Sequence, residues 1–337
     1  MAHRRPHGAV AVNMLARPMA AVLPMIDGAC SLLHGNDRMW PLTNCYVDLW
    51  VEILHAWGHN PVDSFAFCVA QAFEGDHFTF FKFPAADIEA LHGVRLEELA
   101  LFDDLERHLL VQTRRGRVPL VEVDGFYLSD TRTTSYQREH TKTTIGVVEI
   151  DPESETCRYF HNSGCYLLEG ADYRAVMRLD RRAGLPLFPY AEMIWQGPRP
   201  DRGDPHAIPL GQLRHHLARR PSVDPIGAFR TAFPEQLDMI LARDPELFHA
   251  YTFNTVRQLG ACHDFLGDFL RWMDGYRGLG LTEAAACCTT ISATAKTLQL
   301  RTARLVARRR VDACDELFDT LQDAHARLHR ALDTIVA

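Results

Sequence analysis

The chain has 337 residues, 47% of them hydrophobic and 23% charged, with a formal net charge of −7 and nine cysteines. That is ordinary globular composition, and the length exceeds one domain of roughly 100–200 residues, so two folded units are expected. The acidic balance speaks against nucleic acid as a partner, and an odd, scattered set of cysteines without a repeated framework points to reduced thiols and a cytoplasmic location.

Residues 1–38 read as an N-terminal arm. A basic start turns apolar between His3 and Cys30, but Asn13, Arg17, Pro18, Pro24 and Asp27 interrupt the run, against a secretory signal. No stretch reaches the ~18 uninterrupted apolar residues of a membrane span, so no membrane partner is expected.

From Thr43 the apolar residues Val47, Leu49, Trp50, Ile53, Leu54 and Trp57 recur at helical spacing, with Thr43 or Asn44 as N-cap and Gly58 as stop. A second helix is predicted from Asp63 to Phe73, followed by a strand over the aromatic run His77 to Phe83. Helical pieces at Ala85 to Leu91 and Leu96 to Gln112 come next. Val118 to Val123, Thr143 to Ile150 and Cys157 to Phe160 then read as neighbouring strands. The polar segment Asp124 to Lys142 between the first two is too long for a hairpin turn, and such loops tend to carry function.

Prolines 186, 189, 198, 200 and 205 mark a linker over 184–209, and 210–337 reads as helical. There Cys314, Phe318, Leu321, His325, Leu328, Leu332 and Ile335 alternate steps of four and three, a seam that packs against another helix. The domain expected ahead of the linker is 39–183.

The chemistry centres on Cys45. A cysteine in the first turn of a helix meets unpaired N–H groups and the positive end of the dipole, and both favour the thiolate. A thiol nucleophile also needs a base and a group that orients it, delivered by other strands. His140, just ahead of one predicted strand, and Asn162, just after the next, supply the order Cys, His, Asn. The bland alternative is a small buried Cys45 and a loop histidine among seventeen. Asp124 and His161 are further orienting candidates, although His161 also reads as an edge-strand residue facing solvent. Asn44 or Asn36 could complete an oxyanion hole.

Asn44-Cys45-Tyr46-Val47-Asp48-Leu49, Trp57-Gly58, Val121-Glu122-Val123-Asp124 and the strand led by His140 resemble the N-terminal domain of the butirosin biosynthesis acyltransferase family. That family is similar to papain-like proteins, which include the leader peptidases of bacteriocin exporters. The resemblance covers residues 40 to 170. It implies an α+β papain-like (cysteine-peptidase-like) domain with an antiparallel sheet, here followed by an α-helical bundle. It also implies acyl transfer through a cysteine from a carrier-protein thioester. Asp130-Thr131-Arg132, Tyr136, Arg138-Glu139-His140, Lys142-Thr143-Thr144 and Tyr159-Phe160-His161-Asn162 resemble a bacterial family with no assigned activity, whose members accompany carrier-protein and amino-acid-activating genes. In the leader peptidases a Gln six residues before the nucleophile binds the oxyanion; Met39 stands there in this chain, which weakens a proteolytic reading.

Asp130, Arg132, Tyr136, Arg138 and Lys142 from the polar loop, with Glu74, Asp76 and Lys82 from the aromatic run, have the mixed signs that an aminoacyl group requires; the alternative is a solvated surface. Cys157, His161 and Cys165 match no zinc-site spacing, so no metal is expected. The basic segment Arg301, Arg304, Arg308, Arg309, Arg310 suits an acidic carrier protein or a solvated helix face.

The expectation is therefore a cysteine acyl or aminoacyl transferase. Its partners would be an acyl or aminoacyl carrier protein and a small-molecule acceptor. The chain itself would bind no cofactor, since the phosphopantetheine belongs to the carrier protein. A thiol amide or peptide hydrolase and a non-catalytic carrier-protein adaptor are the alternatives, and the residues leave the oligomeric state open.

Overall fold

The computed structural model describes residues 30–35, 37–179, 188–201, 203–243 and 246–336. The first 29 residues of the expected arm, the oxyanion candidate Asn36 and positions 184–187 of the expected linker lie outside the described residues.

The front half is α+β. Helix α1 (Cys45–Ala56) is followed by a 3-10 helix (Pro61–Ala70), α2 (Ala85–His92), strand β1 (Val94–Glu98) and α3 (Leu105–Arg114). Then come β2 (Val118–Asp124), β3 (Lys142–Asp151), β4 (Thr156–His161), β5 (Gly164–Glu169), α4 (Gly170–Val176) and β6 (Ala191–Gln196). The six strands form one antiparallel sheet in the order β1-β6-β2-β3-β4-β5. The expected neighbours β2, β3 and β4 lie side by side.

Strand alternation sends successive side chains to opposite faces, and two cores form accordingly. Val118, Leu120, Phe160 and Ile194 pack on the α1 face. Val121, Val123, Ile145, Val147, Cys157 and Tyr159 pack on the other face with Leu105 and Leu109 of α3 and Tyr173 and Val176 of α4. Along α1, every residue from Tyr46 to Leu54 is buried, so this helix is a core element.

The back half is helical: α5 (Ala207–Leu217), α6 (Pro225–Leu241), α7 (Glu246–Asn254), α8 (Val256–Arg277), α9 (Thr282–Arg308) and α10 (Asp315–Val336). The seam read in the sequence lies inward on α10, where Phe318, Leu321, Leu328 and Leu332 are fully buried. The two halves share a core. Phe65 of the 3-10 helix stacks on Phe265 of α8, ring centroids 4.2 Å apart and planes at 9°, a pairing worth about 0.5–1.5 kcal/mol beyond its burial.

Several sequence expectations are corrected. The helix expected over Asp63 to Phe73 is the 3-10 helix Pro61–Ala70; Ser64, Phe65, Ala66, Phe67 and Cys68 are all buried, and a segment enclosed on every side shows no helical period. The strand expected over His77 to Phe83 reduces to one bridge, Phe73 to Phe78. Phe78, Phe81 and Phe83 still serve the core, through irregular backbone. The helix expected over Leu96 to Gln112 divides into β1 and α3, because β1 exists through its pairing with β6, a partner almost one hundred residues away.

The largest correction concerns the linker over 184–209, which contains β6. Prolines 189 and 198 flank that strand rather than interrupt it, and Ala191, Glu192 and Ile194 are buried between β1 and β2. The front domain therefore extends to 196 instead of 183, and the helical half begins at Ala207 instead of 210. The arm is corrected too: Leu33 and His34 are buried, so 31–34 belongs to the folded unit. Among the described residues, no helix is long and apolar enough to cross a membrane.

Candidate active site

Cys45 opens α1, as its position after a capping residue predicts. Asn44 is extended (φ −141°, ψ 149°), and its Oδ1 accepts the Val47 N–H at 2.9 Å. Its amide Nδ2 donates to the Phe81 carbonyl at 3.2 Å, tying the aromatic segment to the start of the helix. Thr43 adds a second lock, donating its N–H (2.8 Å) and its hydroxyl (2.6 Å) to the Asp48 carboxylate. Cys45 is half-buried. With its oxygen committed to the cap and its nitrogen to the Phe81 carbonyl, Asn44 holds the helix start rather than reaching into an oxyanion hole.

Two anchors hold α1 over the sheet. A Cβ added to Gly146 of β3 would meet Ile53 Cδ1 at 3.0 Å, so the lower part of α1 lies over the middle of β3. At the far end of α1, Arg199, beyond the end of β6, donates to the Trp57 carbonyl at 2.7 Å. Tyr46, the residue after Cys45, reaches Glu192 of β6, which pairs with Leu120 on the rung of Gly146.

His140 lies just ahead of β3, at the end of the sheet where β2 finishes. Its Nδ1 donates to Asp124 Oδ2 at 2.5 Å, its ring stacks on Phe126 with centroids 4.4 Å apart and planes at 12°, and its side chain is 68% exposed. Asp124 terminates β2, and the alternation that turns Leu120 toward α1 turns Glu122 and Asp124 to the same face. A carboxylate on Nδ1 selects the tautomer that leaves Nε2 to accept a proton. A cavity of about 320 Å³ opens here, lined by Glu122, Asp124, His140, Lys142 and Arg178 among others, with Lys142 Nζ 2.7 Å from Glu122 Oε1.

The remaining candidates divide between the two faces. His161 alternates with Phe160 and points to the α3 side. It is buried there with Nδ1 2.6 Å from Asp130 Oδ2 and Nε2 2.7 Å from Thr143 Oγ1, which corrects its reading as a solvent-facing edge residue. Asp130 also accepts from Tyr159 at 2.6 Å, so this carboxylate serves an interior network rather than a substrate. Asn162 occupies the two-residue turn between β4 and β5 at φ 48°, with its amide 3.3 Å from His161 Nδ1. The group on His140 is Asp124.

The substrate candidates are likewise dispersed. Tyr136 donates to Asp172 at 2.8 Å, with the Arg132 guanidinium 5.9 Å from its ring centroid, and Arg138 is exposed. Asp76 pairs with His77 at 2.5 Å, and its carbonyl accepts from Gln236 of α6; Glu74 lies in the same turn, where its N–H donates to the His77 carbonyl. Lys82 alone among the aromatic-run candidates lies beside α1, its Nζ 4.3 Å from the Tyr46 ring centroid and 2.9 Å from Glu192 Oε1.

Two features escaped the sequence reading. Glu192, buried on β6, accepts from Tyr46 (2.7 Å), Tyr190 (2.8 Å) and Lys82, and burial together with this carboxylate pushes both phenols far up. The second is His34, whose buried ring meets Glu52 and Asp48 of α1. Burial pulls its pKa down, but the two carboxylates outweigh that and hold it at about 9. The only sequence signal was Asp48 and Glu52 inside a helix otherwise too apolar to face water.

Two family models divide the chain where the structure does. Residues 29–196 match the DUF1839 N-terminal domain and residues 206–334 the DUF1839 C-terminal domain, so the first match ends with β6 and the second begins at α5. No curated protein matched the chain. With both domain models of one family matched in order along most of its length, the chain belongs to the DUF1839 family.

Proposed function

We propose that the chain is a papain-like cysteine acyl or aminoacyl transferase, with Cys45 as nucleophile, His140 as base and Asp124, in place of Asn162, as the group that orients His140. The Cys45 sulfur attacks the carbonyl of a carrier-protein phosphopantetheine thioester while His140 Nε2 takes the thiol proton. The carbonyl–sulfur bond to the pantetheine breaks, and His140 returns the proton to the departing thiol. A small amine or hydroxyl then attacks the acyl-enzyme, gives its proton to His140, and the Cys45 thiol is restored. The observation that supports the reading is the 2.5 Å His140–Asp124 pair, a base held in one orientation, in a chain where Cys45 opens a capped helix. Nine free cysteines fit a reducing, cytoplasmic setting.

One observation favours water as the acceptor instead. His140 is 68% exposed, and the cavity beside it is lined from the front half alone, so water reaches the base there. Hydrolysis of an amide or thioester is the second reading.

Mass spectrometry after mixing the protein with an acylated carrier protein tests both. The expected result is an acyl adduct on Cys45 that is absent from Cys45→Ala, with release to an added amine for transfer or to water for hydrolysis. A folded wild-type protein that binds the carrier protein without forming an adduct overturns both and leaves an adaptor.

A further inference from the structure

Trp40 of the front half enters the helical half between α8 and α9. Its indole lies against Gly260 of α8, and its Nε1 donates to Ser292 of α9 at 3.0 Å. The two helices are joined through the short segment 278–281 and run antiparallel. One turn from each of those contacts, in the same direction, stand Arg257 on α8 and Lys296 on α9. The Lys296 Nζ sits 4.1 Å from the Trp40 ring centroid. Arg257 donates through Nη2 to the Leu42 carbonyl, with its guanidinium carbon 5.2 Å from the Phe253 centroid. Two half-buried cations from two helices thus flank the chain that leads into α1.

Among the described residues, neither cation has a carboxylate within ion-pair distance. The acidic groups around them are committed elsewhere. Asp264 and Asp268, further along α8 in the other direction, hold Arg38 at 2.8 and 2.6 Å. The Asp48 carboxylate attracts Arg257, but it accepts from the Thr43 N–H and hydroxyl and meets the His34 ring. Arg257 Nε is buried without a hydrogen-bond partner, and the Lys296 ammonium has the indole face beneath it. Burial lowers the pKa of Arg257 against the pull of Asp48, and burial together with the Arg257 charge lowers that of Lys296. Two neighbouring cations partly withdrawn from water without a counter-charge are costly, and an anion that joins them removes the cost.

We propose that Arg257 and Lys296 together bind an oxyanion, the carboxylate or phosphate of a small molecule. The guanidinium fork offers N–H groups beyond the Nη2 bonded to Leu42, in a planar geometry that matches either anion, and the ammonium offers three more from above the indole. Three residues of chain lead from Leu42 to Cys45, at most about 11 Å. With Cys45 as nucleophile, the site therefore holds the anionic end of the substrate. That role rests on the acyl-transfer reading, whereas anion binding does not. Because Trp40 and Leu42 come from one half and both cations from the other, the ligand also stabilises the contact between them.

Calorimetry and thermal unfolding of the full chain with inorganic phosphate and, separately, malonate, each against sodium chloride at equal ionic strength, test the proposal. Saturable binding of one anion per chain and a raised Tm are expected, with affinity about ten-fold or more weaker in Arg257→Gln and in Lys296→Gln. Lys296→Gln leaves the Leu42 contact intact and decides the question if Arg257→Gln fails to fold. Arg301→Gln removes the same charge from α9 at an exposed residue paired with Asp312, and is expected to bind like wild type. Cys45→Ala is expected to bind like wild type as well, so anion binding without an acyl adduct counts against the transfer reading alone. Whichever anion saturates names the ligand class. No saturable binding by either anion, or a Lys296→Gln variant that binds as tightly as wild type, overturns the proposal.

Discussion

His34 Nδ1 lies 2.5 Å from Glu52 Oε1, and Nε2 of the same ring lies 3.4 Å from Asp48 Oδ1, so one buried imidazolium bridges two carboxylates one turn apart on α1. The Ser31 N–H also donates to Glu52. This cluster fastens the entering chain to the helix that carries Cys45.

The charge on His34 makes stability fall at high pH. Its folded pKa of about 9 exceeds the ~6.5 of an unfolded histidine. The contribution is therefore complete below pH ~6.5 and lost as pH rises through 9. Urea unfolding between pH 6 and 10 should show this decline. His34→Gln should cost on the order of 3–5 kcal/mol at pH 6, because it leaves buried carboxylates without their cation. A variant as stable as wild type at pH 6 would show that the cluster is neutral.

The helical half carries the opposite dependence. His263 is buried and His325 and His329 are half-buried beside it, with the last two 3.1 Å apart through Nε2, His325 Nδ1 3.6 Å from Asp224, and His263 Nδ1 donating to the Leu259 carbonyl. Burial lowers all three pKa values, to about 4 for His263, about 2 for His325 and about 4 for His329, and the Arg220 guanidinium adds to the effect on the last two against the pull of Asp333 and Asp224 on His329. Each is neutral in the fold, so the stability is present above pH ~6.5 and drains away as pH falls toward 4. Circular dichroism during acid titration should report it as helix loss, and His325→Gln should flatten the slope. An equally steep titration in that variant would assign the acid sensitivity elsewhere.

The proposed roles of Asp124 and Asn162 separate by mutation. Asp124→Asn should slow acylation of Cys45 by ~10²–10⁴-fold through loss of the correct imidazole tautomer, with carrier-protein binding unchanged. Asn162→Gly should leave the rate within about two-fold, since at φ 48° glycine is at ease in the β4–β5 turn. Single-turnover acylation of both variants checks the assignment, and equal losses would return Asn162 to the site.

Gly260 admits Trp40 into the helical half. A Cβ there would lie 2.7 Å from Trp40 Cε2 and 2.8 Å from its Nε1, and that Nε1 donates to Ser292 at 3.0 Å. Gly260→Ala should displace the indole and cost on the order of 1–3 kcal/mol. Chemical denaturation measures the loss, and a neutral substitution would mean that the indole contact contributes little.

Local pattern determined the elements whose period survives on one face or whose ends carry a capping signal. Helix α1 was legible from Asn44, the apolar spacing and Gly58; strands β2, β3 and β4 from their β-branched runs; and α10 from its heptad-like seam. The places of Cys45 at a helix start and of His140 just ahead of a strand were legible too, because both are local features. Tertiary structure alone decided the rest. Strands β1 and β6 are stabilised by pairing with each other across almost one hundred residues, so neither announces itself locally, and the prolines around β6 mimic a linker. His161 and Asp124 were interchangeable candidates in the sequence. Strand alternation sent the first to the α3 face with Asp130 and the second to the α1 face with His140, and which side of a sheet a residue occupies is settled by what the sheet packs against.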